Sequence, residues 1–260
     1  MSILKSLAIQ RRVIHALLLR EMLTRYGKNN IGFLWILGEP LLFMSTILIL
    51  AINTQMDQLN FAIPLAAFAF TGYSGAFIWR DIANQCKNAM RANAGLMHHR
   101  NVKILDIFMS RILLEFLSNT ATFILLTIIL VNMNLMHFPV NTLYVISGWL
   151  LLSWFGSAIG LCVGVLSEYS DVFGRIWGVS TFPIFAVSGA AFLVDWIPEP
   201  ARSYLLWTPM IHGIEMMRHG FFGDIIRTYE DPLYLITINL CLTLVGLILV
   251  KNFSEGLLND

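Results

Sequence analysis

Long runs without Asp, Glu, Lys or Arg decide what this chain can fold into. Pro40–Met56 (17 residues), Gln58–Trp79 (22), Phe116–Ser167 (52), Ile176–Val194 (19) and Pro232–Val250 (19) together occupy about half of the 260 residues. A helix needs about 20 mainly apolar residues to cross a hydrocarbon core of about 30 Å. The longest run is too long for one crossing. Its middle holds Asn132, Asn134, His137, Pro139 and Asn141, turn-forming residues that divide it into two spans. Six spans result: Phe33–Ile52, Phe61–Trp79, Ile112–Val131, Leu143–Leu166, Val172–Val194 and Leu233–Val250. Uninterrupted apolar runs lack the alternation of a barrel strand, so the fold expected is an all-α polytopic membrane protein.

Composition agrees. Hydrophobic residues make up 57% and charged residues 13%, against about 25% charge in ordinary soluble domains. Disorder and nucleic-acid binding are both excluded. The net charge is only +1, so the position of each charge matters more than the total. Lys5, Arg11, Arg12, Arg20, Arg25 and Lys28 precede span one; Arg80, Lys87, Arg91, Arg100, Lys103 and Arg111 fall between spans two and three. Basic residues mark cytoplasmic connections, which puts both termini in the cytoplasm. The opposite loops are poor in cations, and Asp195–Asp231 carries six acidic residues against three basic ones. The first apolar run has no cleavage site and is too long for a signal-peptide core. Cys86, Cys162 and Cys241 show no metal-ligand spacing and none lies in an outer loop, so they read as inert thiols.

Three segments depart from a plain six-helix pattern. Residues 1–32 place Ile3, Leu4, Leu7, Ile14, Leu17, Leu18 and Met22 on one helical arc, interrupted by Gln10 and Arg11. This is an imperfect amphipathic helix suited to the anionic cytoplasmic surface, or a simple topology-setting arm. In the cytoplasmic loop 80–111, the Ala-rich Asn84–Met97 reads as a short helix stopping near Gly95. It is equally consistent with docking into a soluble partner and with a solvated connector. In the outer segment 195–223, the uncharged Ser203–Ile214 is too short to cross. Pro200 and Pro209 each suit the first position of a short helix, Pro209 after Thr208 as cap. Two short re-entrant helices between spans five and six are expected, and such elements must be buried in protein or line a cavity.

Within the spans, Gly156, Gly160 and Gly164 repeat every four residues, and Gly174 and Gly178 continue the spacing, which favours close helix contact. Glu39 and Glu115 are the carboxylates within or at the edge of a span; Arg111 can satisfy Glu115 at i,i+4, and Arg111 or an N-terminal arginine can reach Glu39. Gly72-Tyr73-Ser74-Gly75 matches the Gly-x-Ser-Gly of intramembrane serine proteases. Activating that serine needs a histidine in a neighbouring span, and His15, His98, His99, His137, His212 and His219 all lie outside the spans. A phosphate-binding G-x-x-x-x-G-K-[ST] loop is also missing, so ATP hydrolysis by that route is excluded. The residues indicate a chain without a catalytic site.

Three motifs carry a resemblance. Arg20-Glu21, Arg25-Tyr26-Gly27-Lys28, Ile31-Gly32-Phe33-Leu34-Trp35 and Glu39-Pro40-Leu41 resemble the N-terminal signature of ABC-2 type polysaccharide export permeases. His99-Arg100-Asn101-Val102-Lys103-Ile104-Leu105-Asp106-Ile107-Phe108 and Ser110-Arg111 through Leu114-Glu115 look like the entry to span three in the capsular branch. Val194-Asp195-Trp196-Ile197-Pro198, with Leu206-Trp207, Pro209-Met210 and His212-Gly213-Ile214-Glu215, resemble its outer segment. The likeness spans nearly the whole chain and points to the permeases of group 2 capsule exporters.

This resemblance implies a six-span transmembrane domain over 33–260 that pairs as a homodimer. Two copies of a separate ABC ATPase would bind ATP and Mg, with no cofactor on this chain. A periplasmic copolymerase and an outer-membrane exporter would complete the assembly in a Gram-negative inner membrane. The cargo would be a lipid-linked capsular polysaccharide; O-antigen or teichoic acid is the alternative within the superfamily. Membrane lipids are the other contact, and nucleic acid is not. Implied residue roles follow. Arg20, Arg25 and Tyr26 would border lateral entry of the lipid anchor. Glu39, Tyr73, Phe77, Trp79 and Arg80 would belong to the substrate path, although core packing accounts for each aromatic as well. Lys87, Asn88, Met90, Arg91, Asn93 and Leu96 would form the coupling helix on the ATPase. Trp196, Pro198, Trp207, Pro209 and His212 would form a periplasmic gate.

Overall fold

The computed structural model describes residues 3–26, 42, 45, 46, 49, 63–93, 95 and 102–259. Nine helices occur among them: α1 (Ile3–Tyr26), α2 (Leu65–Lys87), α3 (Ala89–Ala92), α4 (Ile104–Asn132), α5 (Thr142–Tyr169), α6 (Asp171–Ala186), α7 (Ala201–Leu205), α8 (Pro209–Phe222) and α9 (Pro232–Asn259). Short 3₁₀ turns sit at Val194–Trp196 and Gly223–Ile225, and no strand occurs among the described residues. Three of these helices, Ile104–Asn132, Thr142–Tyr169 and Pro232–Gly256, are long and apolar enough to cross a membrane. The chain is an all-α membrane protein. The expected span one, Phe33–Ile52, lies almost wholly outside the described residues.

α5 is the central post, against which α2, α8 and α9 pack. The glycine repeat explains how closely α2 approaches. A Cβ on Gly156 would sit 2.6 Å from the Trp79 Cα, one on Gly160 would sit 3.0 Å from the Cys86 Sγ, and one on Gly164 would run into the Phe108 ring. The expected small-residue seam is therefore the seat of α2, with Phe108 of α4 closing its end at Gly164. Indole N–H groups then tie helices together at 2.9 Å: Trp149 donates to Thr120, Trp154 to Thr243 and Trp177 to Asn84. Trp149 and Trp177 are buried and Trp154 is half-buried, and the polar edge of each ring is satisfied.

The turn expected inside the 52-residue run is present between α4 and α5. Asn134 takes a positive φ of 58°, which Asn tolerates better than most residues, and the Asn141 side chain caps α5 by accepting from the Tyr144 amide at 3.1 Å. α2 departs from expectation. It runs two turns past Trp79, because Ile82, Ala83 and Cys86 continue its buried face at zero exposure. Packing, rather than the first charge at Arg80, sets where it ends. Asn84–Lys87 consequently belong to α2, and α3 follows after a break at Asn88 (φ −107°, ψ 13°), with Gly95 also helical among the described residues.

The fifth segment also differs from the expected Val172–Val194. α6 has 16 residues, about 24 Å at 1.5 Å per residue, and gives way to turns after Ala186. Pro183 removes one amide donor near its end, and Gly189 turns the chain at φ 88°. Large apolar side chains remain exposed on α4 (Leu117, Ile124, Ile128), α6 (Val172, Ile176, Val179) and α9 (Leu240, Leu244, Ile248). Such faces suit hydrocarbon contact.

Candidate translocation pathway and its flanking sites

On α2, Tyr73, Phe77 and Arg80 follow one another at helical spacing and share a face. Phe185 of α6 lies against them, its ring centroid 5.8 Å from that of Tyr73 and 5.5 Å from that of Phe77. The Arg80 guanidinium lies 5.9 Å from the Phe77 ring, 5.3 Å from Phe182 and 5.4 Å from Phe185, within cation–π range of all three. Three of the expected path residues are thus gathered at one α2–α6 face. Trp79 is not with them. It is fully buried on the opposite side of α2, with its ring edge-on to Phe155 at 5.9 Å. Phe182 and Phe185 escaped the sequence reading, since a phenylalanine in a charge-free run has no signal that separates cargo contact from lipid contact.

The outer segment is built around α8. Pro209 occupies its first turn as expected; Thr208 precedes it without a side-chain capping bond. The structure puts Pro200 one position earlier than expected, at the cap before α7. Every α8 residue from Met210 to Phe222 is buried except His219. Glycines on three helices make this approach fit. A Cβ on Gly148 of α5 would lie 2.9 Å from the Gly213 carbonyl oxygen, one on Gly213 would lie 2.5 Å from Leu152, and one on Gly75 of α2 would lie 3.0 Å from Ile214. Gly72 is covered by the Ala190 carbonyl and Arg218. The Gly72-Tyr73-Ser74-Gly75 tetrad is therefore part of the seat of α8, and the Ser74 hydroxyl donates within its own helix to the Phe70 carbonyl at 2.5 Å.

At the centre of this packing, Arg218 is fully buried. It donates to the carbonyls of Gly189 (2.7 Å), Phe192 (2.6 Å) and Ala190 (2.9 Å), and lies 3.5 Å from the Glu215 carboxylate. Its other face covers the Phe68 ring at 4.2 Å. A guanidinium is suited to this, having five donors in a rigid fork. The turn after α6 thereby finds donors for three carbonyls that an apolar surround would leave unsatisfied. Arg218 was missed in the sequence, although two ionisable residues at i,i+3 inside an apolar stretch were the signal available.

The expected gate residues surround α8. His212 is buried; its Nδ1 accepts from the Asp231 amide at 2.9 Å, leaving Nε2 to donate to the Leu206 carbonyl at 2.8 Å. It thus joins α7, α8 and the start of α9. Trp196 packs on Phe68 at 5.3 Å. Trp207 is exposed, and its carbonyl accepts from the Tyr234 hydroxyl at 2.8 Å. The Pro198 carbonyl accepts from the Arg202 amide at 3.2 Å in the turn before α7.

At the opposite end, α1 is latched to α4 and α3. Gln10 donates to Asp106 at 2.8 Å, Arg20 to Asn93 at 2.7 Å, and Glu21 forms a buried ion pair with Arg111 at 2.7 Å. Arg111 also donates to the Gln85 carbonyl at 2.9 Å, and Glu21 is a partner of Arg111 that the sequence reading did not find. Among the expected coupling residues, Met90 and Asn93 are buried, while Asn88 and Arg91 are exposed and Lys87 is half-buried. Arg91 donates to Asp171 and lies 3.5 Å from Glu168, tying α3 to the α5–α6 turn. That hydrogen bond and charge hold the Asp171 carboxyl below its usual range and raise Arg91. Glu39 and Leu96 lie outside the described residues, as do the side chains of Arg25 and Tyr26.

Residues 12–222 match the family described as ABC-2 type transporter, and the chain belongs to that family. Over 253 residues it is 43% identical to the capsule polysaccharide export inner-membrane protein BexB of Haemophilus influenzae, covering 97% of this chain and 95% of that one. It is 40% identical over 252 residues to the capsule polysaccharide export inner-membrane protein CtrC of Neisseria meningitidis, with 97% and 95% covered. Against the polysialic acid transport protein KpsM of Escherichia coli, identity is 31% over 256 residues and 97% of each chain.

Proposed function

We propose that the chain is the permease subunit of an ATP-driven exporter that moves lipid-linked capsular polysaccharide across a bacterial inner membrane. The observation that carries this reading is near-full-length similarity to relatives named for capsule polysaccharide export. The permease works as a homodimer of six-span subunits with both termini cytoplasmic. Two copies of a separate ATPase subunit bind ATP and Mg, and a periplasmic copolymerase and outer-membrane exporter receive the polymer.

Residue roles follow from position. Arg20, Arg25 and Tyr26 border lateral entry of the lipid anchor, and Glu39 belongs to the same path. Tyr73, Phe77 and Arg80 offer aromatic faces and a cation to an anionic sugar chain, joined by Phe182 and Phe185. Trp79 supports this surface from behind. The 80–111 loop couples to the ATPase through the exposed Asn88 and Arg91 and the half-buried Lys87, while Met90 and Asn93 anchor it and Leu96 extends it. The 195–223 segment, with Trp196, Pro198, Trp207, Pro209 and His212, gates the outer end, its short helices entering the outer leaflet.

Deletion of the chain tests the reading. Polymer should accumulate in the cytoplasm and surface capsule should disappear; normal surface capsule would refute export by this protein. Co-purification with an ATPase subunit tests the coupling, and an Arg91→Glu chain should still dimerise while ATP hydrolysis no longer drives transport.

A further inference from the structure

A cleft of about 240 Å³ opens where the end of α2 and α3 meet the α5–α6 turn, lined by Lys87, Asn88, Arg91, Ser167, Asp171 and Arg175, with Gly174 at its floor. Its volume equals that of about eight water molecules. Three cations line the cleft against one lining carboxylate, Asp171, which Arg91 engages; Glu168 lies beside it, 3.5 Å from the same Arg91. Lys87 and Arg175 have no carboxylate within ion-pair distance among the described residues, although Arg175 is near enough to help hold the Asp171 carboxyl down. Lys87 lies along α6 over its glycines: a Cβ on Gly178 would sit 3.5 Å from the Lys87 Nζ, and one on Gly174 would sit 3.9 Å from its Cδ. The Gly174–Gly178 repeat accommodates this lysine.

Two further features point into the same space. The Ser167 side chain is only 4% exposed, and its hydroxyl has no hydrogen-bond partner among the described residues. Its Oγ would be 3.4 Å from a Cβ on Gly174, at the cleft floor. The cleft also lies at the first turn of the 16-residue α6, where backbone amides and the helix dipole favour an anion. Unpaired cations, an unsatisfied buried hydroxyl and a helix start are the parts of an oxyanion cradle.

We propose that this cleft binds a phosphate group, held by Lys87, Arg175 and the Ser167 hydroxyl. The group can belong to an anionic phospholipid at the membrane surface or to a soluble phosphate, and the chemistry of recognition is the same. The site is independent of the capsule reading, so normal surface capsule in the deletion experiment would refute that reading and leave the site untouched.

Native mass spectrometry of the full chain in a neutral detergent tests the site. The probes are phosphatidylglycerol, the zwitterionic phosphatidylethanolamine, and inorganic phosphate alone. Wild type should retain phosphatidylglycerol over phosphatidylethanolamine. Lys87→Gln and Arg175→Gln should each lower occupancy by about tenfold, as expected for one charge-assisted hydrogen bond, while Lys87→Arg should retain it. Displacement of the lipid by inorganic phosphate, or binding of phosphate alone with the same variant pattern, assigns the site to a soluble phosphate. Equal binding of all probes by wild type and variants, or no binding of any, overturns the proposal. Should a Gln variant fold poorly, Ser167→Ala supplies a neutral second test, which should weaken phosphate binding at unchanged charge.

Discussion

Arg218 and Arg91 both meet carboxylates, but their surroundings are opposite. The side chains of Arg218 and Glu215 are 0% and 1% exposed, whereas those of Arg91 and Asp171 are 53% and 64% exposed. In the dry pair, desolvation is costly, and removing one partner leaves a charge that water cannot reach. In the wet pair, solvent screens the attraction and readily replaces either partner. The dry arginine therefore reads as a structural commitment of the outer segment. The wet one is a contact that can be made and broken, as a coupling surface requires.

Arg218→Ala should cost about 3–5 kcal/mol and largely abolish folded protein, as it orphans Glu215 and three carbonyls. Arg218→Lys should not restore stability, because an ammonium lacks the fork that reaches all three oxygens. A melting temperature close to wild type in either variant would mean that water enters the α8 seat. Next in size, Gly213→Val should lose about 1–3 kcal/mol by overpacking against Leu152. By contrast, Gly95→Ala, where nothing lies within 4 Å of the added Cβ, should be neutral or gain up to about 1 kcal/mol in thermal denaturation.

At the wet end, Asp171→Asn should leave the melting temperature essentially unchanged. The smallest effect is the pH response of the same carboxyl. Its folded value lies below the usual 3.8 because Arg91 hydrogen-bonds the ionised form. Its contribution is thus complete above that usual value and is lost only as pH falls through the lower folded one. The stability difference between wild type and Asp171→Asn, small at neutral pH, should therefore vary with pH only in this acidic window, where it falls away, and added salt should shrink it throughout. A large difference at neutral pH that salt does not reduce would show that the pair is drier than the structure describes.

How much was legible follows the range of the information needed. The α4–α5 turn is written locally, in the Asn residues that end one helix and cap the next. The glycine repeat on α5 announced a close contact, but nothing local named α2 as the partner. The end of α2 was misplaced because hydropathy falls at Arg80 while the buried face continues through Cys86. The burial of α8 was less visible still. It depends on Gly72, Gly75 and Gly148, far away in sequence, and the same 14 residues would read as an interfacial loop without them. Trp79 was assigned to the path by residue type, and the phase of the helix sends it the other way.

The carbonyls of Gly189, Ala190 and Phe192 emerge from the ribosome before the arginine that serves them, which follows Phe192 by 26 residues. The glycine-lined groove between α2 and α5 is likewise complete before α8 exists to fill it. A nascent chain stopped just short of Arg218 therefore holds an open groove beside an unfinished turn, and lipid is what is there to occupy it. Synthesis order thus leaves the segment that fills the α8 seat to arrive after the helices that form it.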